Sequence, residues 1–145
     1  MVPEPNFQPA KILLVEDNPG DAVLTREAFY ESRVQVIFET VENAEDALDY
    51  LRDEEIALPD LILMDINLPG MSGLEALTEI KEDPQIKSVP VVVLTTSSAN
   101  QDILSAYEHY ANCYITKPVQ FDEFQQAIKS LEDFWFTIVR LPKIK

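Results

Sequence analysis

Short runs of consecutive apolar residues alternate along the chain with longer polar stretches. Continuous apolar runs of this length are typical of strands that are buried on both faces of a parallel sheet. Four runs are of this kind, and a fifth run, residues 34–41, is richer in β-branched residues and also favours a strand. The predicted strands are residues 11–15, 34–41, 61–64, 89–95 and 113–116.

The stretches between these strands repeat their apolar residues every three to four positions, which is the period of a helix with one buried face. The first of them is predicted to bury Ala22, Leu24, Ala28 and Phe29. Five strands alternating with five helices predict an α/β fold, a doubly wound (βα)5 sandwich of three layers around a five-stranded parallel sheet. The predicted helices are residues 21–32, 43–55, 72–83, 100–110 and 121–136.

Composition narrows the possible functions. The 145 residues are 46% hydrophobic, which suits one domain with its own core. With 11 basic and 26 acidic residues, the formal charge of −15 repels nucleic acid and anionic membrane surfaces. The single cysteine, Cys113, excludes a disulfide framework. No apolar run approaches the roughly 20 residues of a membrane span, and residues 1–10 lack the basic start of a signal peptide, so we expect a cytoplasmic protein.

Polar residues follow directly after the predicted strands. Glu16 and Asp17 follow the first strand, Asp65 follows the third, Thr95 ends the fourth, and Lys117 ends the fifth. In an open parallel sheet, sites form beyond the carboxyl ends of the strands, near the change in strand order. If the first and third strands are neighbours, three carboxylates meet there and repel one another unless a cation neutralises them.

Magnesium is the cation that these residues favour, because it prefers oxygen ligands and keeps several waters. Lys117 and Thr95 would add an ammonium and a hydroxyl beside it, which together can hold a phosphoryl group. A carboxylate is then the candidate nucleophile. Each acid taken alone is more often a helix cap or a solvated loop residue, so the prediction depends on the strand ends acting together.

Four motifs resemble those of the receiver domain of two-component response regulators. They are "LLVEDN" (13–18), "LILMDINLPGMSG" (61–73), "VVVLTTS" (91–97) and "YITKP" (114–118), in the family's order. The resemblance covers residues 11–131 and implies a flavodoxin-like fold. It implies that Asp65 is the phosphoacceptor, that Glu16 and Asp17 form the acidic Mg²⁺ pair, and that the backbone carbonyl of Asn67 completes the metal site.

The same resemblance implies a conformational switch. Thr95 and Lys117 would contact the phosphoryl oxygens, and Tyr114 falls at the position of the switch aromatic. When Thr95 moves toward a phosphorylated aspartate, Tyr114 can rotate into the vacated space and reshape the face made by the fourth helix, the fifth strand and the fifth helix. Without the resemblance, Tyr114 would be interpreted as a half-buried core tyrosine.

The chain is predicted to comprise an arm (1–10), a receiver domain (11–131) and a tail that extends the last helix (132–145). The tail and the segment "NCYITK" (112–117) resemble single-domain regulators paired with cyanobacterial phytochromes. That resemblance implies phosphotransfer from a phytochrome-type histidine kinase and a homodimer, with output by contact rather than through a DNA-binding domain. Alternatively, the tail only covers the domain's own sheet edge. The candidate interface residues are Phe134, Trp135, Phe136 and Ile138.

Three other functions compete with this interpretation. A haloacid-dehalogenase-type phosphatase needs a second aspartate two positions after the nucleophile, and Asn67 stands there. A flavin-binding module needs a phosphate loop after the first strand, where the acidic "EDNPGD" (16–21) lies instead. A phosphorylation-independent scaffold of the same fold remains the main alternative. We therefore expect a phosphoacceptor protein and not an enzyme with a separate substrate.

Overall fold

The structure is a computed structural model that describes residues 9–29, 35–95 and 113–116, together with the single positions 104, 108, 126, 129 and 130. The predicted arm, apart from Pro9 and Ala10, and the predicted tail lie outside these residues. The elements in chain order are β1 (Ala10–Val15), α1 (Pro19–Ala28), β2 (Val36–Val41), α2 (Ala44–Arg52), β3 (Leu61–Met64), α3 (Gly73–Glu82), β4 (Val91–Thr95) and β5 (Cys113–Thr116).

The strands form one parallel sheet in the order β2-β1-β3-β4-β5. The predicted α/β class with a parallel sheet is therefore confirmed. The order changes direction between β1 and β3, so the carboxyl ends of these two strands lie side by side where a site is expected. Of the predicted helices 100–110 and 121–136, only isolated positions are described, and these are helical.

Helices pack on both faces of the sheet, and the strands alternate their side chains between the two. On one face, Leu13 and Val15 of β1 join a core cluster with the buried residues of α2 and α3. On the other, Ile12 and Leu14 join a cluster with α1. Because successive residues of a strand point to opposite faces, burial on both sides requires the continuous apolar run seen in the sequence.

Each described helix begins with a capping residue soon after a strand or loop ends. The caps are Asn18, Asn43 and Ser72, and each side-chain oxygen accepts the backbone N–H three residues further on. These bonds satisfy one of the otherwise unpaired donors of the first turn. The cap of α1, Asn18, lies close to Glu16 along the chain, so it also shapes the loop that follows β1.

Ala22, Ala28 and Phe29 are buried as predicted, and the structure corrects one position of α1. Leu24 was expected to be buried, but it is 41% exposed, and Thr25 is buried in its place. The hydroxyl of Thr25 donates a hydrogen bond to the carbonyl of Asp21 at 2.9 Å, so its polar atom is satisfied inside the core. A buried threonine with a local partner is compatible with the core, and it places Leu24 on the solvent side.

Among the described residues, no helix is long and apolar enough to cross a membrane.

Candidate functional site

The backbones of Glu16 and Asp65 are fixed by the sheet itself. Val15 and Met64 are partners in the pairing of β1 with β3, so the next residue of each strand stands at the same level. The N–H of Asp65 donates to the carbonyl of Val15 at 3.1 Å, and the N–H of Glu16 donates to the carbonyl of Val41 at 3.0 Å. Both acids thus continue the hydrogen bonding of the sheet by one residue.

The carboxylates of Glu16, Asp17 and Asp65 come together at this end of the sheet. One oxygen of each lies within 4.8 Å of the others. Glu16 is 3% exposed and Asp65 is 8% exposed, whereas Asp17 is exposed to solvent. The predicted convergence of three carboxylates is therefore present in the structure, and it combines two sheltered acids with one that solvent can reach.

This donor set suits a hard divalent cation. Like charges at such separations repel, and more strongly where solvent is partly excluded. Mg²⁺ and Mn²⁺ are bound by carboxylate and carbonyl oxygens and keep waters in their coordination shell. Two sheltered carboxylates beside an exposed one offer both the ligands and an open side for those waters, so the residues present fit such an ion.

Backbone N–H groups orient the two sheltered carboxylates. Oδ1 of Asp65 accepts the N–H of Asn67 at 3.0 Å, and Oε2 of Glu16 accepts the N–H of Asn18 at 3.3 Å. Each acid is thus held by the residue two positions later, in a turn that follows the strand. Asn18 was not singled out by the sequence analysis as part of the site, although an asparagine before Pro19 is typical of a helix start.

The loop from β3 to α3 folds back over Asp65. The N–H groups of Leu68 and Gly73 both donate to the carbonyl of Ile66, at 3.0 and 2.9 Å. Gly70 has φ +74°, a conformation that glycine adopts without strain. Gly73 lies so close to the carbonyl of Asp65 that a side chain there would collide with it. Gly73 was not predicted as a site residue, and its only signal in the sequence is the glycine-rich "PGMSG" (69–73).

The remaining predicted site residues are placed only in part. Thr95 is the last residue of β4 and is paired with Thr116, and Tyr114 is paired with Val93. These pairings bring the carboxyl ends of β4 and β5 to the same edge of the sheet, but the side chains of Thr95 and Tyr114 are outside the description. Lys117 and the predicted interface residues also lie outside the described residues, so their roles stay predictions.

Comparisons with known proteins agree with this geometry. The family described as "Response regulator receiver domain" matches residues 12–129. The chain is similar to the response regulator Rcp1 of Synechocystis sp., with 38% identity over 138 residues that cover 92% of this chain and 94% of Rcp1.

Two crystal structures are also similar. The phosphorylated cyanobacterial phytochrome response regulator RcpA has 44% identity and a TM-score of 0.84, and the comparison covers 90% of this chain and 96% of RcpA. The Mn²⁺-bound form of Rcp1 has 36% identity and a TM-score of 0.82, with 90% and 96% covered.

Proposed function

The chain belongs to the family of response regulator receiver domains, and we propose that it accepts a phosphoryl group from a histidine kinase on Asp65. The observation that carries the proposal is the meeting of Glu16, Asp17 and Asp65 at the carboxyl ends of β1 and β3. A core strand that ends in a sheltered acid beside two more acids brings like charges together, which costs folding free energy, and a bound cation would offset that cost. The proposed phosphotransfer uses such a cluster.

In the proposed reaction, a carboxylate oxygen of Asp65 attacks the phosphorus of the donor. The new O–P bond forms as the bond from phosphorus to the donor breaks, and the donor leaves with the electron pair of that bond. With a phosphohistidine donor the leaving group is the imidazole, and with acetyl phosphate it is acetate. The N–H of Asn67, 3.0 Å from Oδ1, orients the carboxylate for this attack.

Glu16, Asp17 and Asp65 are proposed to hold Mg²⁺, together with the backbone carbonyl of Asn67. When bound, the ion supplies positive charge that offsets the carboxylates and the phosphoryl oxygens. Support comes from the clustering of the three acids and from the similarity to Rcp1, which has been crystallised with Mn²⁺. Lys117 and Thr95 are proposed to contact the phosphoryl oxygens. Thr95 is the last residue of β4, and Lys117 comes directly after the neighbouring strand β5 in the sequence.

The proposed output is a change of the face formed by residues 100–110, β5 and residues 121–131. Thr95 is proposed to move toward the phosphoryl group and Tyr114 to follow it inward. Phosphorylation then has to change the free-energy difference between the two arrangements of Thr95 and Tyr114 by a few kcal/mol. A change of about this size turns a minor conformation into the major one. No enzymatic turnover of a separate substrate is part of the proposal.

The histidine kinase that phosphorylates this protein is proposed to be of the phytochrome type. The protein itself is proposed to act in the cytoplasm. Support comes from the similarity of the chain to Rcp1 and to RcpA, which is a cyanobacterial phytochrome response regulator. The charge of −15 disfavours a nucleic acid as the partner and favours proteins with a basic surface.

A homodimer through the tail is a further part of the proposal. The apolar residues between 134 and 144 are numerous for a segment that begins at the end of the last predicted helix, and aromatic residues often anchor interfaces. Truncation after Leu131 is expected to yield monomers in light scattering, while the full chain yields dimers. An unchanged mass after truncation would instead favour a tail that covers the edge of its own sheet.

The decisive experiment is phosphorylation by acetyl phosphate in the presence of Mg²⁺, followed by intact mass. We expect the wild type to gain one phosphate, and both the Asp65→Asn variant and a magnesium-free sample to gain none. Asp60→Asn is a matched control, because Asp60 lies at the opposite end of the same strand, where its Oδ2 accepts the N–H of Lys11 at 2.9 Å. This control should gain phosphate like the wild type.

A folded wild type that gains no phosphate would contradict the proposal. The phosphorylation-independent scaffold would then be the better function for this fold. Phosphate gain by Asp65→Asn would show that another residue is the acceptor.

A further inference from the structure

Gly73, the first residue of α3, lies directly against the backbone of Asp65. A methyl group added at Gly73 would collide with the carbonyl oxygen of Asp65 and would lie 2.8 Å from Cα of Ile66. These are backbone atoms, which cannot rotate away as the end of a flexible side chain can. A side chain at position 73 therefore requires that either residues 65–66 or the start of α3 move.

The start of α3 is anchored in the core. Ala76, Leu77 and Ile80 of α3 are all 0% exposed and belong to the same core cluster. The N–H of Asp65 is held by the carbonyl of Val15, one residue beyond the end of β3. Because Leu63 and Met64 of β3 are also buried, neither side of the contact can move without disturbing close packing. The strain of an added side chain at position 73 is therefore shared by the start of α3 and the backbone of Asp65.

We infer that Gly73 is a positioning residue for the phosphoacceptor. Its missing side chain lets the first turn of α3 lie against Asp65, which keeps the Asp65 carboxylate within 4.8 Å of those of Glu16 and Asp17. The inference rests on the proposed function and deepens it. Gly73 acts through the backbone of Asp65 and contributes no group to the chemistry, and small misplacements of a reacting group are known to slow reactions severely.

The test is Gly73→Ala in the full chain. The rate constant for phosphorylation by acetyl phosphate, measured at saturating Mg²⁺ and expressed per folded molecule, is expected to fall about tenfold to a hundredfold. The dissociation constant for Mg²⁺, measured by calorimetric titration, is expected to rise, because one of the three carboxylates is displaced.

Two control variants separate positioning from helix stability. Ser72→Ala removes the cap of the same helix without adding atoms near Asp65. Gly20→Ala adds the same methyl group to the first turn of α1, where the nearest atom is the side-chain Oδ1 of Asn18 at 3.2 Å. Both controls should keep the wild-type rate and Mg²⁺ affinity per folded molecule, even if their melting temperatures fall.

The outcomes decide between the possibilities. An unchanged rate and Mg²⁺ affinity in folded Gly73→Ala would overturn the inference, since the contact would then serve stability alone. If the wild type itself gains no phosphate, the proposed function fails, and the difference in Mg²⁺ affinity still decides whether Gly73 positions Asp65. If Gly73→Ala is unfolded in buffer, trimethylamine N-oxide can restore the folded state. A chain that stays unfolded even there also overturns the inference.

Discussion

At the carboxyl ends of β1 and β3, three carboxylates lie within 4.8 Å of one another, whereas at the amino ends of the same strands charges meet opposite charges or carbonyl oxygens. There the ammonium of Lys11 donates to the carbonyl of Ala57 at 3.1 Å and lies 5.1 Å from the ring centre of Tyr50. The backbone N–H of Lys11 donates to the Asp60 carboxylate, and the backbone N–H of Asp60 donates to the Lys11 carbonyl.

Helices α2 and α3 extend this difference, because their carboxyl ends lie at the amino ends of the strands. Arg52, the last residue of α2, pairs with Glu79 at 3.4 Å and with Asp83 at 3.3 Å. The ammonium of Lys81 donates to the carbonyls of Lys87 and Val89, at 3.1 and 2.8 Å. Cations near helix carboxyl ends are favourable. One end of the sheet therefore serves stability, and the other gathers like charges that a bound cation would offset.

The largest expected effect is at the carboxyl end of the strands, where Mg²⁺ should stabilise the folded protein. MgCl2 at about a hundred times its dissociation constant should stabilise the wild type by about 2.7 kcal/mol, because only the folded state brings the three acids together. Asp65→Asn should lose most of this gain. In EDTA, the same variant should be more stable than the wild type by about 1 kcal/mol, since it removes one of three like charges. Urea unfolding with and without Mg²⁺ measures both.

The amide of asparagine keeps an oxygen that can accept the N–H of Asn67, so the substitution removes charge without removing that bond. Asp60→Asn is again the control, and it should not gain stability in EDTA. If Asp65→Asn is less stable than the wild type in EDTA, the cluster is not under repulsion, and the contrast between the two ends is wrong.

A smaller effect is expected from Arg52→Met at the amino end. The change leaves Glu79 and Asp83 without their cation while keeping much of the aliphatic bulk of the side chain. Pairs this exposed contribute little, so the free energy of unfolding should fall by about 0.5 to 1 kcal/mol. The affinity for Mg²⁺ should not change. A double-mutant cycle with Asp83→Asn would isolate the pair, and a coupling energy of zero would contradict its role.

The same contrast explains how much the sequence could predict. Strands β1 and β3 were predicted within one residue at each end, because burial on both faces demands a continuous apolar run. The meeting of Glu16, Asp17 and Asp65 was predicted on the condition that β1 and β3 are neighbours in a parallel sheet, and the structure shows that they are. The buried face of α1 was predicted correctly except at Leu24. A threonine whose hydroxyl is satisfied by the backbone can replace a leucine in the core, and hydrophobic periodicity does not register this.

The contact between Gly73 and Asp65 could not be predicted for a different reason. It depends on how closely the loop of residues 66–72 brings the start of α3 to the strand end, which is a property of the backbone path. A glycine in the sequence indicates freedom of conformation or a close approach, but it does not say which atoms approach. Interactions at the amino end, such as those of Lys11 and Arg52, were likewise not predicted, because residues 27 or more positions apart form them.

The smallest expected effect concerns Lys81, where burial lowers the pKa of the side chain below its ordinary value of 10.5. Its two bonds to carbonyl oxygens favour the ammonium form and limit this shift. Between the lowered pKa and 10.5, the unfolded chain binds more protons than the folded chain, so this group makes stability rise as the pH increases through that window. In Lys81→Met the rise should be absent, while the response to Mg²⁺ stays that of the wild type. Urea unfolding from neutral pH to about pH 10.5 measures the difference, and identical slopes in both proteins would show that desolvation of Lys81 contributes nothing to the amino end.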